Sequence, residues 1–183
     1  VSGAAPATGG TTINGAGATG GIVEPWMINS SNNTFMSYTA GSGFQPVVAN
    51  TATPNYGQVA YSAALTGTIA SGGTGVGVVD VTGAVTLNAN LDHYAIRSNQ
   101  NISPGSSSVI TTRSGGLILN GGTINQASPN TQNMTLNFGV AGASEALIYS
   151  GAGTTVINAQ MNAAGLTKFG GGTIQIQGAK NNF

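Results

Sequence analysis

Gly165-Leu166-Thr167-Lys168-Phe169-Gly170-Gly171-Gly172-Thr173-Ile174-Gln175-Ile176-Gln177-Gly178-Ala179 is the stretch whose reading decides the fold. It holds two short strand-like pieces around a glycine run, with side chains sorted by parity. Ile174 and Ile176 point one way; Thr173, Gln175 and Gln177 point the other. A period of two bounded by glycine turns is the pattern of a half-buried β-strand.

The pattern recurs upstream. Val85, Leu87, Ala89 and Leu91 alternate with Thr86, Asn88 and Asn90. Met134, Leu136 and Phe138 alternate with Thr135 and Asn137. Val109-Ile110-Thr111-Thr112, Leu117-Ile118-Leu119, Ile124, Leu147-Ile148-Tyr149 and the series Thr155, Ile157, Ala159, Met161 fill the intervals. No segment sustains a period of 3.6, and glycine or proline interrupts almost every run beyond about ten residues. Thr123, Thr155 and Thr173 recur at intervals close to one or two turns of a coil. Short strands at near-regular spacing predict a sandwich or a solenoid. The brevity of the strands and their Gly and Asn punctuation favour the solenoid, whose tight corners need left-handed backbone. Asn88, Asn120, Asn125, Asn137 and Asn158 are candidates for polar stacking between coils about 4.8 Å apart. Parity places Val85, Leu87, Leu91, Leu117, Leu119, Leu136, Phe138, Ile148, Ile157, Ile174 and Ile176 in the core.

The opening stretch resembles the passenger-associated repeat of bacterial autotransporters, whose wording is GLTKxGxGTLxLxGA. The match falls at Gly165, Leu166, Thr167, Lys168, Gly170, Gly172, Thr173 and Gly178-Ala179, with Phe169, Ile174 and Ile176 as conservative departures. The pattern GGI-x-x-PW, F-x-x-Y and GF-x-P in residues 20–46 is similar to a segment that precedes such repeats in large bacterial repeat proteins. The resemblance implies a right-handed parallel β-helix, or a β-solenoid with a similar core, exported to the cell surface or beyond.

Composition narrows the function. The chain has 183 residues, 30 of them glycine; 4% are charged, and the formal net charge is zero. Nucleic-acid binding needs clustered cations to displace counterions, and four Lys and Arg do not supply them. A polybasic membrane-surface patch is excluded on the same ground. No run approaches the roughly 20 apolar residues of a membrane helix, so no membrane-embedded segment is expected. Cysteine is absent, which removes disulfides and thiolate metal sites. Forty per cent of residues are apolar and recur in alternating groups, which argues for order through sheet formation rather than disorder. A net charge near zero favours association. The start at Val1 and the end at Asn181-Asn182-Phe183 read as cuts within a longer protein.

The first third reads differently. Trp26, the only tryptophan, is followed by Phe35, Tyr38, Phe44, Tyr56 and Tyr61 among Pro25, Pro46 and Pro54. Residues 1–62 are therefore expected as a less regular, aromatic-containing β region inserted or packed on the coil. Residues 63–183 are expected as solenoid coils in one continuous unit with it.

Candidate chemistry is sparse. His93, the only histidine, lies beside Asp92 and Tyr94 but has no second catalytic group, and reads as an exposed corner residue. Glu24, Asp80, Asp92 and Glu145 are the whole stock of acids. A glycosidase needs two carboxyls roughly 5–10 Å apart; nothing marks such a cleft, and isolated loop acids are the preferred reading. Gly72-Gly73-Thr74-Gly75-Val76-Gly77 lacks the Asp of a calcium-binding nonapeptide and the helix of a dinucleotide site, and reads as a flexible turn. Four Asn-x-Ser/Thr matches, at Asn29, Asn32, Asn101 and Asn133, are expected by chance in this composition. Lys168 and Lys180 read as edge-strand guards against uncontrolled pairing. Isolated Thr51/Thr53 and Thr66/Thr68 are too few for the regular ladder of an ice-binding solenoid.

The expected protein is an extracellular structural β-solenoid without catalytic, cofactor or metal residues. It self-associates end to end or side by side, with a surface glycan or host-surface ligand as a further partner. The alternative is a carbohydrate-active β-helix enzyme, a polysaccharide lyase or hydrolase.

Overall fold

The computed structural model describes residues 14–17, 20–39, 42–49, 60–73, 75–125, 134–178 and 181–183. The strands are β1 (Asn14–Gly17), β2 (Gly20–Ile22), β3 (Ile28–Asn29), β4 (Thr34–Thr39), β5 (Gly43–Pro46), β6 (Ala63–Ile69), β7 (Val78–Leu87), β8 (Leu91–Ser98) and β9 (Ile102–Pro104). They continue as β10 (Ser108–Leu119), β11 (Thr123–Ile124), β12 (Met134–Phe138), β13 (Glu145–Tyr149), β14 (Thr154–Ile157), β15 (Gln160–Asn162), β16 (Gly165–Phe169) and β17 (Thr173–Ile176). One 3-10 turn at Val140–Gly142 is the only helical element among the described residues. The all-β class predicted from parity and glycine punctuation is therefore the observed one.

β6 to β17 join in one curled 12-stranded sheet in which every pair is parallel. Its registers line up inward-facing side chains in three files. Leu91 faces Ile110, then Leu136, then Met161. Ala63 faces Val79, Ile96, Leu117, Ile148 and Lys168 in turn. Gly67 faces Val85, Ile102, Ile124, Ile157 and Ile176. Stacked β-branched and Leu side chains on one face are what a buried parallel sheet demands.

The strands are not uniformly short. β7 meets β8 through Val78–Val81 and then β9 through Val85–Leu87. β10 meets β12 through Ser108–Thr112 and β13 from Gly116 to Ile118. Such strands bend and change partner without losing their extended backbone. At the β10 corner Gly115 has φ +79°, and a Cβ there would collide with the Glu145 carbonyl, so both the turn and the close approach require glycine.

Val85, Leu87, Leu91, Leu117, Leu119, Leu136, Phe138, Ile148 and Ile157 are all buried, as their parity predicts. Ile174 and Ile176 are only half-buried. They lie on β17, the last strand of its file, which among the described residues has a neighbour on one side only. The threonine spacing is one residue out of step: Thr173 faces Thr154, while Thr155 faces Ile174 and is buried with its Oγ1 accepting from Gly121 N. Of the asparagines, Asn137 stacks as expected, accepting from Asn162 Nδ2 at 2.9 Å. Asn125 instead donates to Ser103, and Asn120 accepts from the Ala152 amide.

The other elements are antiparallel: β1 with β2, and β3–β4–β5 as a meander. Ile22, Phe35, Val47 and Tyr61 bury themselves against Val78, Ala95, Ile118 and Tyr149, on the outward side of the large sheet. This second apolar layer explains why all three of Leu117, Ile118 and Leu119 are buried. Alternation fails there because both faces of the strand are covered.

Candidate functional site

Asp80 and Arg97 face each other across β7 and β8, with Nη1 2.7 Å from Oδ2. Arg97 also donates from Nε to the Asn33 carbonyl at 2.8 Å and lies 5.9 Å from the centre of the Tyr61 ring. It thereby ties the β3–β4 turn to the sheet. Asn33 sits at φ +49°, and its Oδ1 accepts from the Tyr149 hydroxyl. Thr34 donates to the Val47 carbonyl, so its one proton is committed and Tyr61 is the donor in their 2.6 Å contact. Burial pushes the Asp80 carboxyl above its ordinary range; Arg97 opposes this without reversing it.

Asp92 makes a two-pronged pair with Arg113, Nε to Oδ1 at 2.9 Å and Nη2 to Oδ2 at 2.6 Å. These bonds hold the Asp92 carboxyl below its ordinary range. The expectation of isolated loop acids is thus corrected for both. Asp80 and Asp92 lie in strands, where the parallel register delivers an arginine from a neighbouring part of the chain to each. Glu24 lies in the turn before β3, and Glu145 accepts from Thr167 on the facing strand.

His93 is not an exposed corner residue. It lies in β8 at 8% exposure, beside Thr112 in register, and burial depresses its pKa. Its Nδ1 and the Thr112 Oγ1 are buried without a hydrogen-bond partner among the described residues. The glycine-rich stretch before β7 makes room for it. A Cβ on Gly73, at φ +69°, would strike the imidazole, so this stretch is a close-packed cover rather than a loose turn. No group of three His, Cys, Asp or Glu residues that could hold a metal occurs among the described residues. No described helix is long and apolar enough to cross a membrane.

Lys168 is exposed on β16, an edge strand, as predicted. The register adds what parity alone did not reveal. Lys168 occupies the inward file behind Ile148, so the last strand sets a cation at a core position. Its ammonium turns back to the Gly170 carbonyl at 2.6 Å. Around it Leu166 is 38% exposed and Ile174 and Ile176 are half-buried. Ala63, Leu65 and Ile69 on β6 are likewise only partly buried against the same core. Thr66 and Thr68 are exposed on β6; Lys180, Thr51, Thr53 and Asn133 lie outside the described residues.

A different surface forms where β3 and β4 meet. The turn Glu24–Met27 closes with Met27 N donating to the Glu24 carbonyl, and Pro25 is buried against Gly116 of β10. The next side chain, Trp26, is left 57% exposed. It borders an open groove of about 560 Å³ shared with Met27, Met36, Asn29, Ser30 and Ser31. The sequence signal is the lone tryptophan after a proline, which by composition alone belongs to the irregular aromatic region.

No protein family, no curated protein and no solved structure matches this chain.

Proposed function

We propose that the curled sheet is a parallel β-helix, right-handed as such folds are, and that this chain is a structural segment of an extracellular rod or filament. The observation that carries the reading is the three-file register. Val79, Ile96, Leu117, Ile148 and Lys168 are successive neighbours in space, roughly 20 to 30 residues apart in sequence, the return distance of a solenoid. Each coil then rests only on its neighbours, and length grows with coil number. The likeness of residues 165–179 to the autotransporter passenger repeat supports export to a cell surface.

The two ends support association. Among the described residues, Ala63, Leu65 and Ile69 at one end and Leu166, Ile174 and Ile176 at the other are only partly covered. A head-to-tail contact between unlike ends does not close and builds a filament. Little electrostatic repulsion opposes it, since the net charge is zero. The ion pairs of Asp80 with Arg97 and Asp92 with Arg113, which do not aim the two acids together at a substrate, support a non-enzymatic role.

Sedimentation from micromolar to millimolar concentration, with electron microscopy of the same samples, tests this. Growth with concentration is expected, and its loss in Ile174→Glu. A single monomer boundary at the highest concentration refutes stacking. Polysaccharide turnover abolished by Asp80→Asn refutes the structural role.

A further inference from the structure

We propose that the Trp26 groove binds a neutral saccharide. Three features point to that ligand class. The indole is presented on an anchored turn rather than buried. Pro25 anchors one side of its turn against Gly116, and the Met27–Glu24 and Met36–Met27 backbone bonds anchor the other. An aromatic plate on an anchored turn offers a flat apolar face on which a sugar ring stacks its C–H face, and the backbone beneath it loses little freedom on binding.

The rim supplies hydrogen bonds without charge. Asn29 Oδ1 accepts from Ser31 N, and among the described residues its Nδ2 has no hydrogen-bond partner. The exposed hydroxyls of Ser30 and Ser31 have none among the described residues either. An amide donor and two hydroxyls, each able to turn, match the mixed donors and acceptors of sugar hydroxyls. No lining residue is charged, so an anionic or cationic ligand finds no counter-charge.

The space fits a short oligosaccharide rather than a protein. The groove is open and about 560 Å³, within the usual size for small-ligand sites. Trp26 is its only exposed large apolar side chain, and Phe44, Val76, Val140, Leu166 and Phe183 do not line it. Met27 and Met36 supply deformable walls that adapt to ring shape. The site names a ligand class for the surface role proposed above, yet it does not depend on coil stacking, which sedimentation reads separately.

The chain has one tryptophan, so its fluorescence reports this site alone. The probes are maltotriose, N-acetyllactosamine and galactobiose, with sialyllactose and a basic tripeptide as charged comparators. A saturable change in Trp26 emission is expected with at least one neutral sugar. Calorimetry with that sugar should show affinity falling about tenfold or more in Trp26→Ala and less in Asn29→Ala, at unchanged circular dichroism. No saturable response to any neutral sugar overturns the proposal. So does a preference for a charged comparator, or calorimetric binding that survives Trp26→Ala undiminished.

Discussion

Arg97→Met isolates the bond between the outer layer and the sheet. The substitution keeps an apolar stem but removes the charge beside Asp80, the donor to the Asn33 carbonyl and the cation near Tyr61. The Asp80 side chain is 8% exposed and that of Arg97 24%. Removing one partner of a buried pair costs about 3–5 kcal/mol. Because Arg97 keeps some solvent contact, the lower end applies, about 3 kcal/mol. For a chain of this size that is a fall of about 6–12 °C in melting temperature.

The pH dependence has a definite sign. Burial already raises the Asp80 pKa in the fold, and losing Arg97 raises it further. The fold then binds more protons than the unfolded chain above about pH 4, so the contribution of this group falls as pH rises through the folded pKa. The Arg97→Met deficit should therefore be largest at neutral pH and shrink towards pH 4. Adding Asp80→Asn should recover about half of the neutral-pH loss by removing the stranded charge. Thermal melts followed by far-ultraviolet circular dichroism across pH 4 to 8 measure all three effects. A pH-independent deficit, or no recovery in the double variant, would show that the charge pair does not carry the contact.

Three other outcomes follow from burial and backbone. Ile157→Asp, enclosed in its file between Ile124 and Ile176, should lose about 4 kcal/mol or more, and Ile174→Asp on the terminal strand about 1–2 kcal/mol as a monomer; equal melting shifts for the two would contradict the register. Burial depresses the His93 pKa in the fold, so the unfolded chain binds more protons at and below about pH 6.5 and stability falls as pH falls through that window. His93→Gln should flatten that acid limb relative to the parent in denaturant titrations, and an unchanged slope would mean the imidazole does not titrate on unfolding. Gly115→Ala should cost more than Gly121→Ala: both have positive φ, which costs about 1 kcal/mol, but only Gly115 would drive a Cβ into a carbonyl. Chemical denaturation separates the two, and equal losses would place the strain in φ alone.

The sequence by itself determined the class of the fold, the positions of most strands and the inward side chains of the central strands. Alternation is a local property: once Leu136 and Phe138 point one way, Thr135 and Asn137 point the other, whatever the strand pairs with. Glycine marked corners for an equally local reason, its tolerance of left-handed backbone, whereas none of Asn88, Asn120, Asn125, Asn137 and Asn158 has a positive φ. Tertiary structure alone decided the partners. Parallel pairing and the uneven return distances leave no trace in a single strand, so the spacing of Thr155 and Thr173 misled by one residue. It was register that brought Arg97 to Asp80 and Arg113 to Asp92, and that placed Lys168 behind Ile148. Burial on both faces likewise depended on a remote layer. Ile118 and Tyr149 are covered because Ile22, Phe35 and Tyr61 lie over them, and His93 is enclosed because glycines far back in the chain close on it. Trp26 shows the converse. Its residue type argues for burial, and it stays exposed because Pro25, not the indole, fills the space against Gly116.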